Sequence, residues 1–321
     1  MSLVVAEAVE KTFGAGGLFA RGRGVRAVAG VDATVARGEA LGVVGESGSG
    51  KSTLGRLMLG LLPPTAGHVR FDGAALPPPG SRAWRALRAR MGIVFQDPFG
   101  SLDSRRSIGA QIGDGLAIHR GMGGAERRAQ VAALLQKVGL DPRREAAFPH
   151  EFSGGQRQRV GIARALATGP DFLVADEPVS SLDVSIQAQI VRLLADLRRD
   201  LGLAMLFISH DLLVVRHLCD RVVVLYLGRV MEEGPVSRVF AAPRHPYTRA
   251  LLSATPMLDP ARRGARIILP GEPPSPRNPP SGCVFRTRCA HAMPACAEAP
   301  PPLSDLGDGQ RVACIRVDEI G

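Results

Sequence analysis

The sequence predicts an α/β fold: a parallel-sheet core with a smaller antiparallel β subdomain, an inserted helical subdomain and a C-terminal extension. Three observations predict it. The segments DFLVADE and LAMLFISH are unbroken apolar runs, the pattern of strands covered on both faces of a parallel sheet. An apolar strand from Ala40 to Val44 leads through a glycine-rich turn into an apolar helix, Thr53 to Leu62. Between Pro98 and Leu166 the pattern is helical without strands. The chain has 321 residues, 45% hydrophobic and 22% charged, enough for one large or two modest domains and far from a disordered composition.

In chain order, LVVAEAVEKTF and VRAVAGVDATVARG read as alternating strands joined by a glycine-rich loop from Gly14 to Gly24, an antiparallel sheet edge. The helix after Val44 is stopped by Pro63 and Pro64. HVRFDG and MGIVFQ are further strands before the helical part, and DFLVADE and LAMLFISH follow it. Beyond about Ala241 the texture changes. HPYTRALL reads as one helix, LPGEPPSPRNPPSG is a proline-rich connector without periodicity, and four of the five cysteines lie past it. The expected division is therefore 1–240, with a helical subdomain at about 98–166, and an extension at 241–321.

No apolar run approaches the roughly 18–20 residues that span a bilayer, and MSLVVAEAVEK reaches Glu7 and Glu10 without the basic and apolar regions of a secretory signal. A soluble chain is expected. The net charge of +10 falls mostly within residues 41–130, partly as Arg82, Arg85, Arg88 and Arg90, whose spacing suits one solvated side of a helix. Aromatic residues are only 4% and no nucleic-acid recognition module is present, so no nucleic-acid partner is expected. Against this arginine-rich background there are three lysines, Lys11, Lys51 and Lys137.

One of them completes a motif. Gly45-Glu46-Ser47-Gly48-Ser49-Gly50-Lys51-Ser52, followed by Thr53 at the helix start, fits G, four residues, then G-K-S. Glycines in such a loop let successive backbone N–H groups face phosphate oxygens, and the helix N-terminus adds positive potential. Lys51 then reaches the β- and γ-phosphates, and the Ser52 hydroxyl binds Mg²⁺. The alternative, a chance glycine-rich turn, does not account for the strand before it and the helix after it. No internal repeat is present, so one such loop is encoded.

Further motifs follow in order: Ser153-Gly154-Gly155-Gln156 in HEFSGGQRQRVGIARAL, then FLVADEP and SSLD. With these the sequence resembles the ATP-binding subunits of ABC transporters over nearly its whole length. The resemblance implies a P-loop NTPase core of the ABC ATPase type that binds ATP and Mg²⁺. By the same resemblance Asp176 holds Mg²⁺ through water and Glu177 is the general base for the attacking water. Gln96 senses metal and water, and His210, before Asp211, contacts the γ-phosphate. Ser153, Gly154, Gly155 and Gln156 open a helix and address the γ-phosphate held by a partner chain, with Asp183 on that contact. Phe13 matches the aromatic that stacks on adenine, and Val28 packs near the same ring.

Only 56 residues separate Gln96 from Ser153, too few for a long coiled-coil hairpin, and a single phosphate loop does not suit translation factors with two cassettes. The tail, HPYTRALLSATP with GCVFRTRC and RVACI, looks like the oligopeptide/dipeptide and nickel importer ATPases. HEFSGGQRQR and DEPVSSLDVSIQAQI resemble the second, F-type, subunit of those systems. The resemblance implies a paralogous ATPase partner in a heterodimer, two membrane permease subunits, an extracytoplasmic binding protein and a peripheral place on the cytoplasmic membrane face. Peptides are the expected cargo; nickel, opines, sugars or a soluble non-transport ATPase are the alternatives.

Cys283, Cys289, Cys296 and Cys314 are spaced more widely than the close pairs of structural zinc, and disulfides do not suit a reducing cytosol. Four such thiolates in a loop-rich segment suit a 4Fe-4S cluster, which the resemblance to iron-sulfur-containing importer ATPases also implies. Zinc and unliganded thiols stay open as alternatives, and His291 is a substitute ligand or a surface residue. A cluster would staple a tail of about 40 residues, a length that rarely folds on apolar burial alone. Cys219 reads as a core residue.

Overall fold

The computed structural model describes residues 2–14, 24–255 and 266–320. Most of the expected Gly14–Gly24 loop lies outside the described residues. In chain order come β1 (Ser2–Phe13), β2 (Val25–Ala36), β3 (Ala40–Val44), α1 (Lys51–Met58), β4 (Ala66–Phe71), β5 (Ala74–Ala75), α2 (Arg82–Arg88) and β6 (Met91–Val94). Helices α3 (Ile108–Arg120), α4 (Gly124–Lys137) and α5 (Gly154–Leu166) precede β7 (Phe172–Asp176), α6 (Val184–Leu201), β8 (Ala204–Ile208) and α7 (Leu212–Leu218). Then follow β9 (Arg221–Tyr226), β10 (Arg229–Pro235), α8 (Val236–Ala241), α9 (Pro246–Ser253), β11 (Ser304–Asp305), β12 (Arg311–Val312) and α10 (Val317–Ile320). Among the described residues no helix is long and apolar enough to cross a membrane.

The chain divides into two units. The first holds Val35–Glu39 and Phe71–Ile208 with the first residues of the chain. In it β6, β7 and β8 pair in parallel, Met91 opposite Phe172 and Asp176 opposite Ile208. Every residue of β7 and β8 is buried, which is why both segments are apolar without alternation. Residues 98–166 carry α3, α4, α5 and two short 3₁₀ turns, with no strand. The arginine run does not form one helix face. Arg90 lies past the end of α2, where its guanidinium bonds Asp72 at 2.9 Å and Asp171 at 2.5 Å, while Arg88 sits over the Trp84 ring.

The second unit holds Val5–Thr34, Ala40–Arg70 and the residues from Ser209 onward. β3 pairs in parallel with β9, Leu41 opposite Arg221 and Val44 opposite Val224, and β9, β10 and β12 then pair antiparallel. The register shifts at a bulge between Val230 and Glu232, and Glu232 and Glu233 beyond it are both buried. Three donors meet the fully buried Glu232 carboxylate: the N–H groups of Arg244 and His245, at 2.8 and 3.0 Å, and the Gln310 amide. Glu233 pairs with Arg311. These two carboxylates fasten both the start of α9 and the end of the chain onto β10.

Two expectations change here. The helix after the phosphate loop begins at Lys51, two residues before Thr53, because Gly50 at φ 103 serves as its N-cap. It ends at Met58, where the Leu59 N–H closes onto the Gly55 carbonyl, well before the prolines. The tail, of a length that rarely folds on apolar burial alone, does bury apolar residues. β12 adds a strand to β10, and Val284, Phe285, Val312 and Ala313 are buried.

Candidate active site

β3, buried along its whole length, delivers the chain to Gly45. A Cβ at Gly45 would stand 2.2 Å from the Leu225 carbonyl oxygen, and one at Gly50 2.2 Å from that of Ala27. Only glycine lets the loop lie this close to the backbone beneath it. Ser47 and Gly48 form its exposed crest. The Lys51 ammonium, buried, donates to the carbonyls of Gly45 at 2.8 Å and Glu46 at 3.0 Å. Ser52 and Thr53 occupy the first turn of α1, which has no side-chain cap and no acidic residue. The Ser49 hydroxyl is buried without a hydrogen-bond partner. An uncapped helix start, an orphaned hydroxyl and a buried ammonium together fit a phosphate group.

Glu46 connects this loop to the tail. Its N–H donates to the Tyr247 phenol oxygen at 2.8 Å, and its carboxylate accepts from Arg288 Nη1 at 2.7 Å. Tyr247 is placed by α9. His245 caps that helix through Nδ1, which accepts from the Tyr247 N–H at 3.1 Å, and Pro246 takes the first helical position. Burial pushes the His245 imidazole down to about 3, with a hydrogen bond to the Ala313 backbone opposing, so the ring stays neutral. Burial likewise pushes the Tyr247 phenol well up. The rings of Tyr226, Tyr247, Phe285 and His245 pack together, Tyr226 and Tyr247 edge to face at 4.8 Å. The sequence reading missed Tyr247 and Arg288 as neighbours of the loop. One signal was available: the chain has two tyrosines, and both stand in this cluster.

Three other predicted residues, Phe13, Val28 and His210, also belong to this unit. Phe13, at the end of β1, is 41% exposed, with the Lys11 ammonium 5.5 Å from its ring centroid. Val28 is fully buried in β2 and offers no surface to a ring. His210 is exposed, just before Asp211, whose carboxylate caps α7 by accepting from the Leu213 N–H at 2.8 Å.

The first unit brings Gln96 and Glu177 together, the Gln96 amide donating to Glu177 Oε2 at 3.2 Å. Asp176 is buried at the end of β7. Glu177 breaks from the strand with φ 44, a left-handed conformation that a non-glycine residue holds only when its surroundings enforce it. Its N–H donates to the Ile208 carbonyl at 3.0 Å, and its own carbonyl accepts from the Ser180 N–H and hydroxyl. The backbone is therefore fixed on both sides of the acidic side chain.

Ser153 caps α5 in a reciprocal box: its hydroxyl accepts from the Gln156 N–H at 3.4 Å, and the Gln156 amide oxygen accepts from the Ser153 N–H at 3.0 Å. Gly155 packs under Ile186, where a Cβ would meet the side chain at 2.5 Å. No acidic residue lies in the first turn of α5. Asp183, exposed, stands at the N-cap of α6 without a side-chain cap bond.

Cys283, Cys289, Cys296 and Cys314 all line one small cavity walled by His245 and Phe285. Burial raises the thiols of Cys283, Cys289 and Cys314, and nearby cysteines add to this. Among the described residues no three His, Cys, Asp or Glu side chains converge on a single metal ion. Cys219 is buried in the core, as expected.

Residues 28–180 match the family model described as ABC transporter, and residues 231–296 the one described as oligopeptide/dipeptide transporter, C-terminal region. A relative in Brucella ovis, named for peptide import and ATP binding, is 58% identical over 88% of this chain and 89% of its own length. The dipeptide transport ATP-binding protein DppF of Escherichia coli is 48% identical over 94% of this chain and 90% of its own. Among solved structures, the ATP-binding cassette MJ0796 bound to ADP and Pi superposes with a TM-score of 0.65 at 31% identity, over 73% of this chain and 98% of that one.

Proposed function

The chain belongs to the ATP-binding proteins of ABC transporters, and from that premise we propose that it hydrolyses MgATP to drive peptide import through a membrane complex. The observation that carries this reading is the joining, in one chain, of a phosphate loop to the region shared with oligopeptide/dipeptide transporters.

The residues divide the work by their chemistry. Gly45 to Thr53 cradle phosphate and Lys51 neutralises it; Ser52 and Gln96, with Asp176 through water, would hold Mg²⁺, which would supply charge stabilisation when bound. Glu177 takes the proton of the attacking water, Gln96 and His210 orient that water, and Phe13 stacks on the base. Ser153, Gly154, Gly155, Gln156 and Asp183 address the nucleotide on a partner ATPase. This reading makes 1–240 the motor domain, with 98–166 as its helical subdomain, and 241–321 the extension. It also calls for a paralogous partner ATPase, two permease subunits, a binding protein and a place on the cytoplasmic membrane face. Uptake of a labelled dipeptide tests it: cells lacking this chain should lose uptake and regain it with the gene. Loss of nickel or sugar uptake with dipeptide uptake intact would overturn the peptide assignment.

We propose further that the four tail cysteines hold a 4Fe-4S cluster, a reading supported by their shared cavity. Bound there, the cluster would cross-link the loops of the tail. Protein purified without oxygen should be brown and carry about four iron and four sulfide per chain. Colourless, iron-free protein, or stoichiometric zinc, would sink the cluster.

A further inference from the structure

We propose that Arg288 and Tyr247 are positioning residues for the nucleotide: they hold Glu46, and with it the backbone of the phosphate loop, in the conformation that receives phosphate. The proposal rests on the reading of residues 45–52 as an ATP loop.

The geometry is specific to Glu46. Its N–H is taken by the Tyr247 phenol oxygen and its carboxylate by the Arg288 guanidinium, while the carbonyls of Gly45 and Glu46 are both taken by Lys51. The peptide planes on either side of Glu46 are thereby pinned. Those planes set where the following loop N–H groups point, which is the property a phosphate reads.

The brace is itself held. The Arg288 side chain is 8% exposed and that of Glu46 26%, so the pair is shielded from solvent and salt on the arginine side and only in part on the other. Its Nε donates to the Pro270 carbonyl at 3.3 Å, and Nη1 lies 3.5 Å from the Tyr226 hydroxyl. A planar fork can serve acceptors in several directions at once; a lysine ammonium on a flexible stem meets the charge but not the geometry. Tyr247 is fully buried against Phe285, and Phe285 with Arg288 belongs to the segment that carries the cysteines. Nucleotide affinity therefore depends on that segment being in place.

The test is calorimetric binding of MgATP and MgADP to the full-length chain, with the thermal midpoint recorded beside each dissociation constant. Arg288→Gln should weaken both nucleotides about tenfold, and Arg288→Lys should recover part of the loss. Tyr247→Phe, which keeps the ring packing and removes only the hydroxyl, should weaken them about threefold. Added to Glu46→Gln, Arg288→Gln should cost little more, because the pair is already broken.

Unchanged dissociation constants in Tyr247→Phe and Arg288→Gln, whatever their thermal midpoints, would overturn the proposal and leave these residues a purely structural role. If Arg288→Gln does not fold, Tyr247→Phe decides. A wild-type chain that binds no MgATP, with Lys51→Ala no different, would instead overturn the ATP reading itself.

Discussion

Glu177→Gln will bind MgATP as the wild-type chain does and hydrolyse it at least about 100-fold more slowly. The amide is isosteric with the carboxylate but cannot accept the proton that the attacking water must lose. The scaffold around it does not depend on the charge. The left-handed backbone at residue 177 is held by the Ile208 carbonyl and by Ser180, and the amide keeps an oxygen for the Gln96 donor. Binding and turnover should therefore separate cleanly. Phosphate release measured beside nucleotide affinity checks this, and retention of a closed, ATP-dependent dimer on size exclusion is the expected accompaniment. Normal phosphate release from this variant would move the general base to another residue.

Lys51→Ala will act at the earlier step, lowering affinity for MgATP by at least about tenfold through loss of a charge-assisted contact to phosphate. The lysine has a second task that the substitution also removes. Its buried ammonium ties together the carbonyls of Gly45 and Glu46, so its loss slackens the same two peptide planes that Tyr247 and Arg288 hold from the other side. Calorimetry with MgATP reads the effect, and unchanged affinity would mean that residues 45–52 do not receive phosphate. The two variants divide the cycle into a binding defect and a chemical defect.

Much of this was legible in the sequence because the signals are local. An apolar run without alternation means two covered faces, and β7 and β8 are covered on both. Glycines spaced through a turn between strand and helix mean close backbone approach, and Gly45 and Gly50 could carry no Cβ. The carboxylate pair after FLVA reads as chemistry, and Glu177 does meet Gln96. What was not legible was non-local. Pattern alone places Arg90 on a helix, but it lies past the end, paired with two aspartates. Nothing in the run MEEGP announces that both glutamates are buried, where donors from distant segments satisfy them. No periodicity announces that an arginine between two cysteines belongs to a glutamate in the phosphate loop.

That last separation bears on how the protein is made. The phosphate loop emerges from the ribosome early, but the guanidinium that holds Glu46 lies 242 residues further along the chain. At synthesis rates of about 5–20 residues per second, the loop waits roughly 10–50 s for its brace. The unit that contains it is assembled from three stretches, with the stretch from Phe71 to Ile208 completed in between. Such long-range closure is slow and comes late in folding. The nascent chain thus carries a complete phosphate motif well before it carries the guanidinium that braces it.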